Sequence, residues 1–285
     1  MDMHVAAAAV LERGDGAARI GVSLIAGRTR LADLYQRAPL RVLLPEAEPG
    51  EPLAAVVVTT SGGLADGDRL HLALEAGEDT AAQVTTQAAE KVYRAHGSVP
   101  ARFDCEIAAM AGAWLEWLPQ ETILFDGARL ARRTRAEIAP GARLFACEHV
   151  VFGRIARGES FRDGTLFDRW ELAREGRPVW CDALSLAPGA DQARHAAWGF
   201  AGAEAVATTV FAADDAGAFL DPAREIIAAA LPEGAQAGAT VVNGVLVTRW
   251  IGTAAAVQKG LSAFIAAFRG AAGGHRPAVP RGWTT

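Results

Sequence analysis

Closely spaced turn signals between residues 16 and 186 limit the possible folds of this chain more than any other feature. They include Pro49-Gly50, Gly62-Gly63, Asp66-Gly67, Asp126-Gly127, Pro140-Gly141 and Glu175-Gly176. Segments rich in β-forming residues lie between them, for example residues 54–60 and 143–152. Strands spaced by roughly 8 to 15 residues are typical of a β-sandwich, a β-barrel or a β-solenoid, and the spacing does not separate these three. No internal repeat of fixed period is present, which counts against a regular solenoid.

The last third of the chain predicts two helices and a hairpin. Asp221-Pro222 is a favourable helix start, and this helix is expected to end near residue 230. Asn243-Gly244 between β-forming residues predicts a hairpin with a type I′ turn. Residues 253–269 predict a second helix because one apolar stripe runs along them, formed by Val257, Leu261, Phe264, Ile265 and Phe268. Gly270 is placed to end that helix.

The length and apolar content fit one large domain over residues 1–285. The chain is 51% hydrophobic, which supports a substantial core. We expect a β-rich part at 16–210, an α/β C-terminal part at 211–270 and an extended tail at 271–285. The two helices are expected to cover one edge or end of the sheets, and no linker divides the chain.

Charge and cysteine content exclude several classes of protein. A net charge of −5 argues against nucleic acid as a partner, because phosphate binding needs a basic face. Three widely spaced cysteines fit reduced thiols better than a disulfide framework. The apolar run at residues 5–11 is too short for a signal peptide, and no apolar stretch is long enough to span a bilayer. We expect a cytoplasmic protein with no membrane partner.

The common catalytic motifs are missing from the sequence. There is no phosphate-binding loop, no complete dinucleotide fingerprint and no nucleophile elbow, and the six histidines are scattered. Cys147 and His149 would share a strand face and hold a soft metal, but a buried thiol beside a packed histidine is the favoured interpretation. These absences lower the expectation that the chain is an enzyme.

A polar run interrupts the β-forming segment that begins at residue 83. If side chains alternate, Gln83, Thr85 and Gln87 share one strand face, and Val84 and Thr86 share the other. A buried polar stripe must find hydrogen-bond partners or water. The sequence therefore predicts either an internally bonded ladder or a wet passage at this strand.

Four segments in order carry a family resemblance: residues 62–70, 85–94, 115–125 and 153–159. Together they resemble the urease accessory protein UreD family, called UreH in some organisms. The resemblance extends from Gln36 to Trp283, with Ser61 where the family usually has proline and Gly282 where it usually has an aliphatic residue. The motif positions are Gly62, Gly63, Gly67, Lys91, Tyr93, Arg94, Pro119, Gly153, Arg154 and Gly158.

The resemblance implies a mainly β fold, an irregular right-handed β-helix-like stack of sheets with two C-terminal α-helices. It also implies a non-enzymatic chaperone that joins UreF, the GTPase UreG and the urease apoprotein and helps deliver nickel. No tightly bound cofactor is expected, only Ni²⁺ in transit. The alternatives are a β-helical polysaccharide hydrolase or lyase, suggested only by the strand-rich pattern, and a generic interaction module.

Nickel chemistry guides the choice of candidate site residues. A conduit of clustered His and Cys would trap Ni²⁺, whereas hydroxyls, amides and occasional carboxylates would let it move. The candidate transit residues are Asp68, Thr85, Gln87, Glu121 and Glu159, and no catalytic residue is expected. Two of them also have a structural interpretation of their own: Asp68 would brace a turn, and Glu159 would pair with Arg154 or Arg157. Trp117 and Trp283 are candidate partner contacts.

Overall fold

A computed structural model describes residues 13–189 and 191–284. The chain is mainly β, a solenoid of about four turns with two C-terminal helices, and this confirms the predicted fold class. In chain order the strands are β1 (Asp15–Ile25), β2 (Arg28–Arg37), β3 (Leu40–Leu43), β4 (Leu53–Thr59), β5 (Arg69–Ala76), β6 (Ala81–Thr86), β7 (Glu90–Val92), β8 (Ala101–Ala109), β9 (Trp114–Leu118), β10 (Thr122–Leu124), β11 (Arg129–Ile138), β12 (Arg143–Phe152), β13 (Thr165–Arg174), β14 (Arg177–Leu186), β15 (Ala205–Ala212), β16 (Ala235–Val242) and β17 (Val245–Gly252). The helices are α1 (Asp191–His195), α2 (Leu220–Ala230) and α3 (Ala254–Gly273).

Two sheets form the broad sides of the solenoid. Sheet A has the order β14-β13-β11-β8-β5-β1-β2, and its five inner members pair in parallel. Sheet B has the main order β16-β17-β15-β12-β9-β6-β4-β3. Its segment from β4 to β12 is parallel, and β15, β17 and β16 extend it as antiparallel strands. Each turn of the solenoid therefore contributes one strand to each sheet.

A short third side closes each turn. Leu64 forms a parallel bridge to Val92 in β7, Val92 pairs with Leu124 in β10, and Leu124 pairs with Phe152 at the end of β12. All four side chains are buried and stack on one another inside the solenoid. The turns have unequal lengths, which explains why no fixed sequence period is visible.

The apolar residues form two separate cores. One fills the solenoid between sheets A and B, where the inward side chains of alternating strands meet. The other lies between the outer face of sheet B and the C-terminal helices, around Phe145, Phe211, Phe264 and Phe268. The helices therefore cover the face of a sheet rather than its edge or end, because sheet B presents an apolar outer face that needs a second layer.

The C-terminal elements follow the predicted pattern with small shifts at their ends. The hairpin β16–β17 turns at Asn243 and Gly244, both with positive φ. Helix α3 starts after Thr253, whose side chain accepts a hydrogen bond from the Ala256 amide. The prediction that Gly270 ends α3 is wrong, because the helix continues to Gly273 and ends at left-handed Gly274. No helix of the described residues is long and apolar enough to cross a membrane.

Candidate functional site

The first two motif segments meet at the third side of the solenoid. Leu64 N donates to Lys91 O at 2.7 Å, and Tyr93 N donates to Leu64 O at 2.8 Å. The Tyr93 hydroxyl donates to Gly62 O at 2.8 Å. Gly63 has a φ of +155°, and an added Cβ would lie 2.7 Å from Lys91 O. Glycine is required here because the two chain segments approach too closely for a side chain.

Aromatic and charged motif residues stack onto this contact. The ring of Tyr93 meets that of Phe125 edge to face at 5.2 Å, and the Arg154 guanidinium lies 4.5 Å from the Phe125 ring centre. Arg154 also pairs with Glu159, with Nε 3.1 Å from Oε1. The Arg154 hydrogen bond is the main cause that lowers the pKa of Glu159. Glu159 therefore has the ion-pair partner that the structural interpretation predicts.

Two further motif glycines, Gly153 and Gly158, shape the same corner. Gly153 has a φ of +115°, and a Cβ there would lie 2.3 Å from Glu159 O. Gly158 is left-handed at the end of a short 3₁₀ turn. Arg94 Nη2 donates to Asp126 Oδ2 at 2.8 Å, and this bond joins two neighbouring turns of the solenoid. The four motif segments thus form one continuous surface, which we call the motif corner: Gly62, Gly63, Lys91, Tyr93, Arg94, Phe125, Asp126, Gly153, Arg154, Gly158 and Glu159.

Asp68 and Gly67 hold the turn that leads into β5. Gly67 has a φ of +81°. Asp68 is buried, and its carboxylate accepts hydrogen bonds from Gly14 N at 2.7 Å and Ala65 N at 2.8 Å. This is the bracing role that the structural interpretation predicts.

A line of polar side chains crosses the apolar interior next to Asp68. Thr59 Oγ1 donates to Glu90 Oε2 at 2.6 Å. Burial raises the pKa of Glu90 to about 7, and the Asp68 charge adds to this shift. Glu90 lies beside Thr122 in the β7–β10 ladder. Polar groups of successive turns are therefore neighbours along the solenoid.

Arg132 continues this line into the next turn. Its Nη1 donates to Thr122 Oγ1 at 2.8 Å, and its Nε donates to both Asp168 oxygens at 3.0 Å. Its Nη2 lies 3.2 Å from Glu148 Oε2, which also accepts from Trp170 Nε1 at 2.7 Å. Burial is the main cause that raises the pKa of Glu148 to about 8. Arg132 opposes this rise, and the nearby charge of Asp168 adds to it.

These residues form what we call the interior polar file: Thr59, Glu90, Thr122, Arg132, Glu148, Asp168 and Trp170. All except Asp168 border one cavity of about 30 Å³, room for one or two water molecules. None of these residues is a candidate site residue from the sequence, although Glu90 and Thr122 lie in two of the four motif segments. The signal available was Arg132, a charged residue at an inward position between Leu130 and Thr134 of an alternating strand.

A second charged group lies on the outer face of sheet B, and we call it the outer ion cluster: Gln83, Trp114, Glu116, Arg269 and Glu51. Glu116 is fully buried and accepts from Trp114 Nε1 at 2.9 Å, Gln83 Nε2 at 2.6 Å and Arg269 Nε at 2.8 Å. Arg269 Nη2 reaches Glu51 at 3.1 Å. Every charged group here has a partner of opposite sign.

The C-terminal tail (residues 274–284) lies against this cluster. Arg269 Nη1 donates to the carbonyls of Arg276 at 3.0 Å and Ala278 at 2.7 Å. Glu48, in the loop between β3 and β4, binds the guanidinium groups of Arg276 and Arg281. The tail and this loop therefore enclose a cavity of about 110 Å³ that Gln83, Thr85 and Arg269 line.

The polar run of β6 faces this outer cavity. Thr85 is 3% exposed, and its hydroxyl donates to Leu118 O at 2.6 Å. Gln83 and Thr85 share one face, whereas Val84 packs in the interior core. Gln87 does not share their face as expected, because β6 ends at Thr86 and Gln87 is exposed beyond it. The run is internally bonded and also borders a polar cavity.

The two tryptophans predicted as partner contacts are both engaged within the chain. Trp117 is 3% exposed in the interior core, so its side chain is not on the surface where a partner could reach it in this structure. Trp283 packs partly buried on the helical core, and its Nε1 donates to Leu118 O at 3.0 Å and Thr85 Oγ1 at 3.2 Å. Trp283 therefore fastens the tail over Thr85.

Cys147 and His149 show no preformed metal cage. Among the described residues no group of three or more His, Cys, Asp or Glu side chains is arranged to hold a metal ion. Cys147 Sγ lies 3.7 Å from Pro119 O, and burial raises the pKa of its thiol. Burial lowers the pKa of His149 to about 4. Both residues match the interpretation of a packed, uncharged pair.

The structure does not gather the five candidate transit residues into one site. Asp68 borders the interior polar file, and Thr85 faces the outer cavity. Glu159 lies in the motif corner, and Gln87 is exposed. Glu121 precedes β10 at that side of the solenoid, and its Oε2 is buried without a hydrogen-bond partner among the described residues.

Comparison with known proteins gives one consistent result. A family model described as UreD urease accessory protein matches residues 14–284. A protein of Methylobacterium sp. (strain 4-46) named urease accessory protein UreD is 46% identical over 280 residues, covering 96% of each chain. A protein of the same name from Magnetococcus marinus is 45% identical over 261 residues, covering 90% of this chain and 89% of that one.

Proposed function

The chain belongs to the UreD family of urease accessory proteins, and on this premise we propose that it is a scaffold that helps deliver nickel to the urease apoprotein. In this proposal it acts together with UreF and the GTPase UreG. It performs no catalysis itself and holds Ni²⁺ only in transit. Family membership carries the role in urease maturation, and the interior polar file supports the nickel step.

The chemistry of the interior polar file suits a passing cation. Its carboxylates and hydroxyls supply the oxygen ligands that bind Ni²⁺ less tightly than imidazole or thiolate. Its members come from successive turns, from Thr59 in the first to Asp168 in the last. A cation moving along the solenoid would therefore find a new oxygen ligand at each turn without leaving the protein.

Proton exchange would keep such a passage electrically balanced. The raised pKa values of Glu90 and Glu148, about 7 and 8, mean that both hold a proton for part of the time near neutral pH. A divalent cation that enters would displace these protons, because a carboxylate must be ionised to bind it. The file would then be neutral when empty and a cation site when filled.

The outer cavity beside Thr85 is the second place for a passage. It has room for several waters, and Gln83 and Thr85 line it. Its charged groups are already paired with each other, so a cation would have to compete with Arg269 for Glu116. The interior file is the better candidate because three carboxyl groups share one arginine there, whereas the three glutamates that line the outer cavity face three arginines.

Reconstitution tests the proposal directly. Urease apoprotein is incubated with Ni²⁺, bicarbonate, GTP, UreF and UreG, with and without this chain, and urease activity is followed. We expect activity to depend on the chain. Equal activity in both samples would refute the scaffold function. The alternative of a polysaccharide hydrolase or lyase would instead require cleavage of a polysaccharide by the chain alone.

A further inference from the structure

The first hairpin of the solenoid presents apolar side chains to solvent. Six of the twelve large apolar side chains that are exposed among the described residues lie between residues 24 and 44: Leu24, Ile25, Leu34, Tyr35, Leu43 and Leu44. We call residues 19–44 the first-hairpin surface. They come in three consecutive pairs, at the hairpin tip, within β2 and at the end of β3, so both faces of the hairpin carry exposed apolar groups. Such a concentration in one short segment is typical of places where proteins meet.

The same segment carries positive charge on an acidic chain. Residues 19–44 contain five arginines and one aspartate, a net charge of +4. The whole chain has a net charge of −5, so the remaining residues sum to −9. Asp33 pairs with Arg19, and Arg37 pairs with Asp15 outside the segment. Arg28 and Arg30 are exposed and form no ion pair with any described residue.

The first hairpin also lies at the edge of sheet A. Strand β2 is the last strand of sheet A, so one of its edges has no strand beside it among the described residues. Next to it is a cleft of about 810 Å³, where Arg28 and Arg30 line one side and the loop after β3, which carries Glu46, Glu48 and Glu51, lines the other. Glu48 and Glu51 are paired with arginines of α3 and the C-terminal tail, so they do not neutralise Arg28 and Arg30 by ion pairing. Thr29 holds the hairpin in place by accepting a hydrogen bond from Ala81 N at 2.9 Å.

We propose that the first-hairpin surface docks a partner protein that presents carboxylates around an apolar patch. Arginine with leucine, isoleucine and tyrosine is a composition typical of an interface centre. The positive charge selects an acidic partner, speeds its approach and disfavours basic ones. This inference rests on the proposed scaffold function, because the partner it requires is a member of the urease assembly.

Binding measurements with two double variants test the inference. Arg28→Glu with Arg30→Glu reverses the charge, and Leu24→Ser with Ile25→Ser removes the apolar tip. All four side chains are exposed, so both variants should fold, which a thermal melt checks. The matched control is Arg102→Glu with Arg177→Glu, two exposed arginines outside the segment. Each chain is titrated against purified urease apoprotein and, separately, purified UreF.

We expect each double variant to raise Kd at least tenfold for one of these two proteins, while the control stays within twofold of the wild type. The loss caused by charge reversal should shrink as salt rises from 50 to 500 mM. Unchanged Kd values for both proteins would overturn the inference and leave the scaffold function standing. If the wild-type chain binds neither protein, the scaffold function fails and the inference fails with it.

A second copy of the chain is the competing occupant. The residues outside the first-hairpin surface of that copy carry a net charge of −9 and would also attract the first-hairpin surface. Analytical ultracentrifugation of the chain alone distinguishes the two. Self-association that Arg28→Glu with Arg30→Glu abolishes would assign the surface to a second copy and overturn the partner proposed here.

Discussion

Two buried arginines anchor two charged groups with opposite consequences. Arg269 in the outer ion cluster meets one buried carboxylate, Glu116, while its second carboxylate, Glu51, reaches solvent. Arg132 in the interior polar file meets Asp168, which is fully buried, and Glu148, whose side chain is 13% exposed. Where solvent stabilises the second carboxylate, Glu51, the cluster acts as a permanent set of ion pairs. Where burial and a second carboxylate act together, the pKa of Glu148 rises to about 8, and the cluster can titrate.

The largest expected effect comes from removing the arginine of the outer ion cluster. Arg269→Met leaves Glu116 buried without its cation, which should lower the free energy of unfolding by about 3–5 kcal/mol. Urea denaturation at pH 7 measures this. Arg276→Met is the control, because Arg276 is largely exposed and should cost less than about 1 kcal/mol. If the Arg269 variant is as stable as the wild type, the outer ion cluster does not stabilise the fold.

Removal of the titrating group should change the pH dependence of stability. The pKa of Glu148 is about 8 in the folded chain against 4.5 in the unfolded one. The folded state therefore binds the proton more tightly, and wild-type stability falls as pH rises from about 5 to 8. Relative to the wild type, Glu148→Gln should gain about 2–4 kcal/mol over this range. Urea melts between pH 5 and 9 check it.

The exposed Glu106→Gln is the control for that experiment, and its curve should run parallel to that of the wild type. A Glu148→Gln curve that also runs parallel would mean that the interior carboxyl does not titrate in this range. The distinction between the two clusters would then be lost.

A functional comparison separates the two cavities as routes for nickel. Glu90→Gln in the interior should slow urease activation about tenfold, equivalent to about 1.4 kcal/mol, because it removes an ionisable oxygen ligand. Thr85→Val on the outer side should leave the rate within twofold. Activation is followed in the reconstituted system at pH 6, 7 and 8. The reverse outcome would place the passage under the C-terminal tail.

The smallest effect is expected at the motif corner. Glu159→Ala removes the pair with Arg154 and the bond from Asp126 N, at a cost of about 1 kcal/mol. If Glu159 also serves nickel delivery, activation should fall while complex formation with UreF persists, which size-exclusion chromatography monitors. Loss of the complex would make Glu159 purely structural.

Local sequence signals account for much of the fold. Asn243-Gly244 specifies its turn because few residues tolerate two successive positive φ values, and the apolar stripe from Val257 to Phe268 specifies the buried face of α3. The end of α3 was misplaced because Gly270 is merely weak in a helix, and packing onto sheet B carries the helix past it.

The site was less accessible to sequence reasoning because its contacts are set by register between turns. Arg132 and Asp168 are 36 residues apart and meet only because β11 and β13 align Arg132 with Asp168. Nothing near either residue indicates the other. The polar neighbours of Thr85 mark its strand in the sequence. They do not show what the polar side of the strand faces, because that depends on the layer packed against it, here the tail with Trp283.

The C-terminal tail also sets an order of events during synthesis. Arg276 and Glu48 are 228 residues apart, so the loop that carries Glu48 emerges from the ribosome long before its partner. Until residues 276–283 are made, Gln83 and Thr85 have no cover, and the outer face of sheet B at β6 stays open to the cell. A protein that binds during translation would therefore meet the outer face of β6 uncovered, whereas one that arrives later would meet it covered by the C-terminal tail.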